Sequence, residues 1–353
     1  MSEYKLSQMR KNNMKLYPIY QMIGFDFLFY YGIQVLFLSQ VKHISDASIV
    51  LVSSLYACFS MILQVPISIF VDKVGKRKAL IIGNTINTLC MFLILICPNI
   101  YFYIFEEFLN AIAFGIKNVT ESSILNSSIP KSENKGNIFS KIDSKGYSKY
   151  CYISAISTLA SGFLYDINPY IPVALCLLFC ILTTIISYNF IELEEIKVNK
   201  KITEYTEDLR SGFKFIFKSS RLRSLLLMIG LIYGICGLFK TYRTTLLKEL
   251  DVSATYIGII FALYDIFQGV ISKKANDFNE KYRNKTLTIL AFGITFGFFV
   301  CGVVSLMEIP YQIKLTIVIF SYVLISGSKG IYQVMRNRYM SNFANSKILP
   351  KIY

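Results

Sequence analysis

"VDKVGKRKAL", residues 71–80, sets five charges (Asp72, Lys73, Lys76, Arg77 and Lys78) between two long runs that carry almost none. The run before it, 47–71, and the run after it, 79–97, are both apolar. Each is as long as a helix rising about 1.5 Å per residue needs to be to cross a hydrocarbon core roughly 30 Å thick. Working outward, similar stretches recur near 17–40, 101–125, 147–165, 169–191, 224–246, 254–272, 286–307 and 311–335. Only helices and closed barrels satisfy their backbone in lipid, and the short alternating segments of a barrel are missing. The sequence therefore predicts an all-α polytopic membrane protein of about ten transmembrane helices. Composition agrees: 353 residues are 54% hydrophobic and 15% aromatic, with a mean hydropathy of +0.48, outside the usual range of soluble domains.

A net charge of +15 would suggest nucleic acid in a soluble protein, but here the placement of the cations matters more than their sum. With the N-terminus in the cytoplasm, the Lys and Arg residues gather before span one, in 71–80, at 131–149, at 197–223, at 273–285 and after 335. Only Lys42, Lys248 and Lys314 fall at outer loops or rims, while Lys117, Lys240, Arg243 and Lys329 fall within spans. This bias predicts that both termini are cytoplasmic and that 71–80 is a short inner loop. The first apolar run is too long for a signal peptide and lacks a small-residue cleavage site, so it is read as a retained helix. The eight cysteines all sit in spans and imply neither a disulfide framework nor a metal site. The abundance of Ile, Lys, Asn, Tyr and Phe suits an AT-rich bacterial genome.

The longest hydrophilic stretch divides the chain into a six-helix bundle (1–191), a cytoplasmic linker (192–223) and a four-helix bundle (224–353). In the linker, Leu209, Phe213 and Phe217 repeat every four residues beside Arg210, Lys214 and Lys218. That spacing fits an amphipathic helix on the inner membrane surface, with a solvated linker as the alternative. The two bundles also resemble each other. Gly115-Ile-Lys117 answers Gly327-Ser-Lys329, and "FSKI" at 139–142 answers "LPKI" at 349–352. A parallel duplication of six helices is expected, with helices eleven and twelve missing from the second copy. Small residues in "SAISTLASG", 154–162, predict close approach of span five to a neighbour.

No phosphate-binding loop occurs, and the one histidine, His43, has no catalytic or metal-ligating company in the sequence. The chain is not expected to be an enzyme, and no cofactor or metal is implied. Its expected partners are the lipid bilayer and a small solute, with protons as a coupling ion and no nucleic acid. The informative residues are polar groups inside spans, where a charge costs at least about 2.5–3.5 kcal/mol unless it meets a partner or water. Asp26 lies near the middle of span one, with Gln34 two turns further on. It is read either as a proton carrier or as a carboxylate paired with a cation of span four or seven. Lys117 and Glu121 share one face of span four, either as a mutual pair or as separate functional groups. Lys240 and Arg243 of span seven would favour an anionic solute, or snorkel to the headgroups. Asp265 of span eight and Lys329 of span ten complete the set, with an interhelical pair between them as one reading.

The "D-K-x-G-K-R-K" run from Asp72 to Lys78 resembles the signature between helices two and three of the major facilitator superfamily of secondary transporters. "NEKYRNKTL" at 279–287 resembles a degraded second copy of it. "TESSILNSSI" at 120–129 is similar to a "T-D-S-A-x-L-Y-D-S-L" run of related transporters. In place of the family's glycine four residues before the acid stands Ser68. The resemblance implies two helical bundles that rock around a central cavity, with Asp72, Lys73, Gly75, Lys76, Arg77 and Lys78 as a gating loop whose contacts reach helix eleven. It also implies a multi-pass protein of the cell membrane that moves a small solute by alternating access. Proton-coupled efflux of a drug-like or amphipathic compound is expected, with Asp26, Glu121 and Asp265 as proton candidates and Gln34, Lys117, Lys240, Arg243 and Lys329 as binding candidates. Uptake of an anionic nutrient and a non-transporting remnant or scaffold are the alternatives.

Overall fold

The computed structural model describes residues 3–130, 135–193, 218, 220–250, 252 and 254–344. Among them all regular structure is helical. Helix α1 (Glu3–Gly24) gives way to an irregular stretch, one turn of α2 (Gln34–Leu36) and a π turn (Phe37–Val41). Five long helices follow: α3 (Asp46–Val74), α4 (Lys76–Ile96), α5 (Ile100–Ser128), α6 (Lys135–Ile167) and α7 (Tyr170–Ser187). Beyond the linker come α8 (Ser220–Glu249), α9 (Ala254–Lys273), the short α10 (Ala275–Tyr282), a 3₁₀ turn (Arg283–Lys285), α11 (Thr286–Leu306) and α12 (Tyr311–Ala344).

Each predicted span from the second onward coincides with one long helix. Five of these, α3, α4, α7, α11 and the Tyr311–Tyr339 part of α12, are long and apolar enough to cross a membrane by length and composition. The remaining long helices carry more of the polar side chains, and in α5 Glu106, Glu107 and Lys117 are turned inward and buried, as a lipid surround demands. The amphipathic helix expected around Leu209, Phe213 and Phe217, and the "LPKI" repeat, lie outside the described residues.

Span one corrects the sequence reading. A continuous helix is expected over 17–40, yet the chain leaves the helix at Gly24 and stays irregular to Ile33. Local contacts compete with the helical ladder here: Asp26 Oδ1 accepts from the Phe27 N–H at 3.2 Å, and the Leu28 N–H donates to Asp26 O at 3.0 Å. Lys117 Nζ donates to Gly24 O at 2.6 Å, taking a carbonyl that an uninterrupted helix would give to residue 28. Phe29 enters positive φ, at 66°. Aromatic packing holds the break in place. Phe27 meets Phe114 of α5 edge-on at 5.3 Å, and Phe29 lies 5.5 Å from Phe179 of α7.

The chain forms two compact units. The first contains α1–α5, the end of α6 from Ala160, and α7; the second contains Gly136–Leu159 of α6 with α8–α12. Sequence organisation groups all of α6 with residues 1–191, whereas its 136–159 stretch packs with the second unit. Within "SAISTLASG", Ala155, Ser157 and Ser161 are buried, but a Cβ on Gly162 would meet nothing within 4 Å. The close approach expected there stops short of the glycine.

The duplicated motifs occupy matching positions in the two units. A Cβ on Gly115 of α5 would come 2.5 Å from Ile67 of α3, and one on Gly327 of α12 would come 3.0 Å from Phe267 of α9. Gly83 of α4 faces Ile116, and Gly293 of α11 faces Ser328. Ile116 and Ser328 each follow a matched glycine, so α3–α4–α5 and α9–α11–α12 pack through equivalent points.

Candidate functional site

The 71–80 junction is a tight turn between α3 and α4. Gly75 adopts φ 93°, ψ 151°, a conformation essentially reserved for glycine. Its N–H donates to Val71 O, and its carbonyl accepts from the Ala79 N–H, both at 2.9 Å. The Arg77 backbone N–H donates to Glu192 Oε2 at 2.7 Å, which sets a carboxylate against the positive end of α4. Arg77 Nη2 donates to Tyr188 O at 2.8 Å, just past the end of α7. Lys76 is half-buried, while Asp72, Lys73 and Lys78 are exposed.

A polar seam joins α1 to α5 and runs the length of the first unit. Asn13 Nδ2 donates to Ser128 Oγ at 3.2 Å and to Ile191 O at 2.9 Å. Next, the Tyr20 hydroxyl donates to Glu121 Oε1 at 2.8 Å and accepts from Asn84 Nδ2 at 3.1 Å. Lys117 then reaches Gly24 O, its ammonium 4.8 Å from the centre of the Phe114 ring. Past the break, Gln34 Nε2 donates to the Tyr103 hydroxyl at 3.4 Å. Rising numbers on one side meet falling numbers on the other, the register of an antiparallel pair. On α5 the polar residues Tyr103, Asn110 and Lys117 form one row at sevenfold spacing, and Glu107, Glu121 and Ser128 lie on a second row interrupted by the apolar Phe114, the two adjacent on one face. Lys117 and Glu121 both reach across to α1. Gln34, Lys117 and Glu121 are thus brought to one seam, and Asp26 lies in the break just past Gly24.

Sequence reasoning passes over Glu106 and Glu107. Both are buried, and with Tyr103 and Asn110 they form an i, i+3, i+4, i+7 stripe. The Tyr103 hydroxyl donates to Glu107 Oε1 at 3.1 Å, and Asn110 Nδ2 to Glu107 Oε2 at 3.0 Å. The signal was present in "YIFEEFLN", 103–110: four polar positions at helical spacing inside an apolar span.

The second unit carries its own network. Ser154 Oγ donates to Asp265 Oδ2 at 2.7 Å, and Ser148 Oγ to Gly269 O at 2.8 Å. Gln268 Nε2 donates to the Tyr147 hydroxyl, and Ser326 Oγ donates to Tyr264 O at 3.0 Å. Asp265 and Lys329 both lie within electrostatic reach of Cys151. At one end of this unit Asn337 Nδ2 donates to Asp143 Oδ2 at 2.9 Å, and the Tyr339 hydroxyl donates to Asn279 Oδ1 at 3.1 Å. Lys240 and Arg243 belong to α8, but their side chains lie outside the described residues. Among the described residues no cluster of three or more His, Cys, Asp or Glu is placed to hold a metal.

A fold of two helical units with matched internal packing, joined to a charged turn after the second span, is what the sequence resemblance implies. The model of the Major Facilitator Superfamily matches residues 16–349. The chain belongs to the Major Facilitator Superfamily. Superfamily structures share its fold. A nucleoside transporter, NupG, aligns with a TM-score of 0.65 at 12% identity, over 97% of this chain and 94% of that one. The proton:xylose symporter XylE, bound to 6-bromo-6-deoxy-D-glucose, gives 0.66 at 12% identity, over 99% of this chain and 83% of that one. The human organic anion transporter MFSD10 (TETRAN) gives 0.57 at 10% identity, over 99% and 92%. Among curated proteins nothing matches the chain. As a member of the superfamily, the protein is a multi-pass membrane transporter.

Proposed function

We propose that the protein is a secondary active transporter of the cell membrane that exports a small amphipathic, drug-like solute in exchange for protons. The observation that carries this reading is the interruption of span one beside the α1–α5 seam. Broken helices expose backbone and side chains to a central site at mid-membrane, where alternating access works on them. Asp26 stands in that break, with Lys117 and Glu121 one helix away, so protonation there changes the charge of the site without any ATP-binding element. Around it Phe27, Tyr30, Tyr31 and Phe114 offer aromatic faces, which suit an amphipathic solute better than a small anion. In an exchange, protons moving inward drive the solute outward. Asp265, held by Ser154, is a further carboxyl in the second unit, and Gly75 with Arg77 forms the cytoplasmic turn about which α3 and α4 move.

The test uses proteoliposomes loaded with a pH-sensitive dye and challenged with a panel of amphipathic cations and neutral drugs. A solute that is carried moves protons in the opposite sense in the wild type. Asp26→Asn still binds it but moves none. Solute flux that ignores an imposed pH gradient in the wild type, or coupling that survives in Asp26→Asn, would overturn the reading.

A further inference from the structure

The short helix α10 and the 3₁₀ turn behind it carry a feature that solute transport does not use. When the charged turn of the first unit is laid on its degraded second copy, Asp72-Lys73-Val74-Gly75 answers Glu280-Lys281-Tyr282-Arg283. Gly75 holds φ 93°, and Arg283 in its place holds φ 42°. A glycine takes a positive φ freely, whereas an arginine is strained there. The turn alone does not require that side chain.

Arg283 lines an open groove of about 470 Å³ together with Asn279, Glu280 and Tyr339. The Tyr339 hydroxyl donates to Asn279 Oδ1 at 3.1 Å and reaches Arg283 O at 3.5 Å, which fixes one wall. Asn276 accepts from Ser140 of α6 and Arg338 of α12, so α10 is tied down from both sides. Arg283 and Glu280 are exposed, yet among the described residues neither side chain has a hydrogen bond or an ion pair. Over 273–285 there are five cations (Lys273, Lys274, Lys281, Arg283 and Lys285) against two acids, Asp277 and Glu280, so the local charge is positive.

The spans around the groove set its depth. Helix α9 ends at Lys273, α11 begins at Thr286, and Tyr339 is the last residue of the apolar part of α12. The groove therefore sits where hydrocarbon gives way to headgroups, on the side where the cations gather. A guanidinium without a partner, set among lysines, selects phosphate, which it grips through two parallel N–H donors. A bare phosphate would also meet the Glu280 carboxylate, one helical turn away, and be repelled. A phosphate ester that bears hydroxyls instead uses that carboxylate as their acceptor, with the Asn279 amide as a further donor. We propose that Arg283, Glu280, Asn279 and Tyr339 form a binding site for a phosphodiester of a polyol, carried by a phosphatidylglycerol-type headgroup or by the soluble diester. The site is independent of Asp26 and of any coupling to protons.

Binding to the purified, delipidated full chain in detergent tests it, with no transport required. Native mass spectrometry compares retention of phosphatidylglycerol and phosphatidylcholine, and calorimetry follows glycerophosphoglycerol and inorganic phosphate. One phosphatidylglycerol kept per chain in preference to phosphatidylcholine, with no heat from the soluble diester, makes the ligand a lipid. Heat from glycerophosphoglycerol that exceeds that from inorganic phosphate makes it the soluble ester. In either arm Arg283→Gly weakens binding about ten- to hundredfold, the share of a charge-assisted hydrogen bond. Glycine relaxes the positive φ, so this variant without ligand melts at or above the wild-type temperature, which separates loss of the ligand from loss of the fold. Glu280→Ala leaves the phosphate held and narrows the preference for the glycerol-bearing ligand severalfold. Equal retention of the two lipids with no heat from the diester, a folded Arg283→Gly that binds like the wild type, or an undiminished glycerol preference in Glu280→Ala overturns the proposal.

Discussion

At the scale of single residues, the seam between α1 and α5 hangs on side chains that serve the backbone. Lys117 supplies Gly24 with the donor that the broken helix withholds, and a hydrogen bond to a charged group contributes about 1.5–3 kcal/mol. Lys117→Met is expected to lower stability by about that amount, read as a drop in the thermal midpoint of the detergent-solubilised protein. Tyr20→Phe removes the donor to Glu121 while Asn84 keeps its bond to Leu80 O at 3.0 Å, so a smaller loss of about 1 kcal/mol is expected. Gly75→Ala forces a Cβ into φ 93° and should cost of order 1–3 kcal/mol in the same measurement. If Lys117→Met unfolds at the wild-type temperature, the bond to Gly24 is not what holds the end of α1.

At the scale of elements, the glycines separate a tight crossing from a loose one. A Cβ on Gly330 would stand 2.8 Å from the Gln268 backbone oxygen, which cannot step aside, whereas one on Gly115 would meet the flexible tip of Ile67. Gly330→Ala is expected to cost about 1–3 kcal/mol by overpacking α12 on α9. Gly115→Ala should cost less, and Gly162→Ala, with open space around it, should be neutral or stabilising by up to about 1 kcal/mol. Thermal melts of the three variants that fail to follow this order would show that the crossings are not rigid. Helix positions were legible in the sequence because an apolar run of membrane length has few other ways to satisfy its backbone. The break at 25–33 was not. "GFDFLFYYGI" is as apolar as a span, and its interruption depends on Lys117, which lies 93 residues later in the chain.

At the scale of the whole molecule, the arrangement of positive loops predicts that residues 76 and 141 share one face of the membrane. With the native cysteines replaced (Cys58 is the exposed one), Lys76→Cys and Lys141→Cys should both react with an impermeant maleimide in inside-out vesicles and neither in right-side-out ones. Labelling from opposite sides would dismantle the topology. The candidate site was partly readable at this scale. Asp26, Gln34, Lys117 and Glu121 stand out as isolated polar groups in apolar runs; Gln34, Lys117 and Glu121 take part in the α1–α5 seam, and Asp26 lies in the break of span one. Glu106 and Glu107 did not stand out, because a pair of acids near a span end reads like a rim, and only the packing of α4 on α5 shows them buried.

The interruption of the first span also ties together two distant parts of the chain in inheritance. A descendant that restored a regular helix through residues 25–33 would leave the buried Lys117 ammonium without its acceptor at Gly24, and one that lost Lys117 would leave an orphan carbonyl there. Neither change is tolerable alone, so drift at these two places should proceed in tandem.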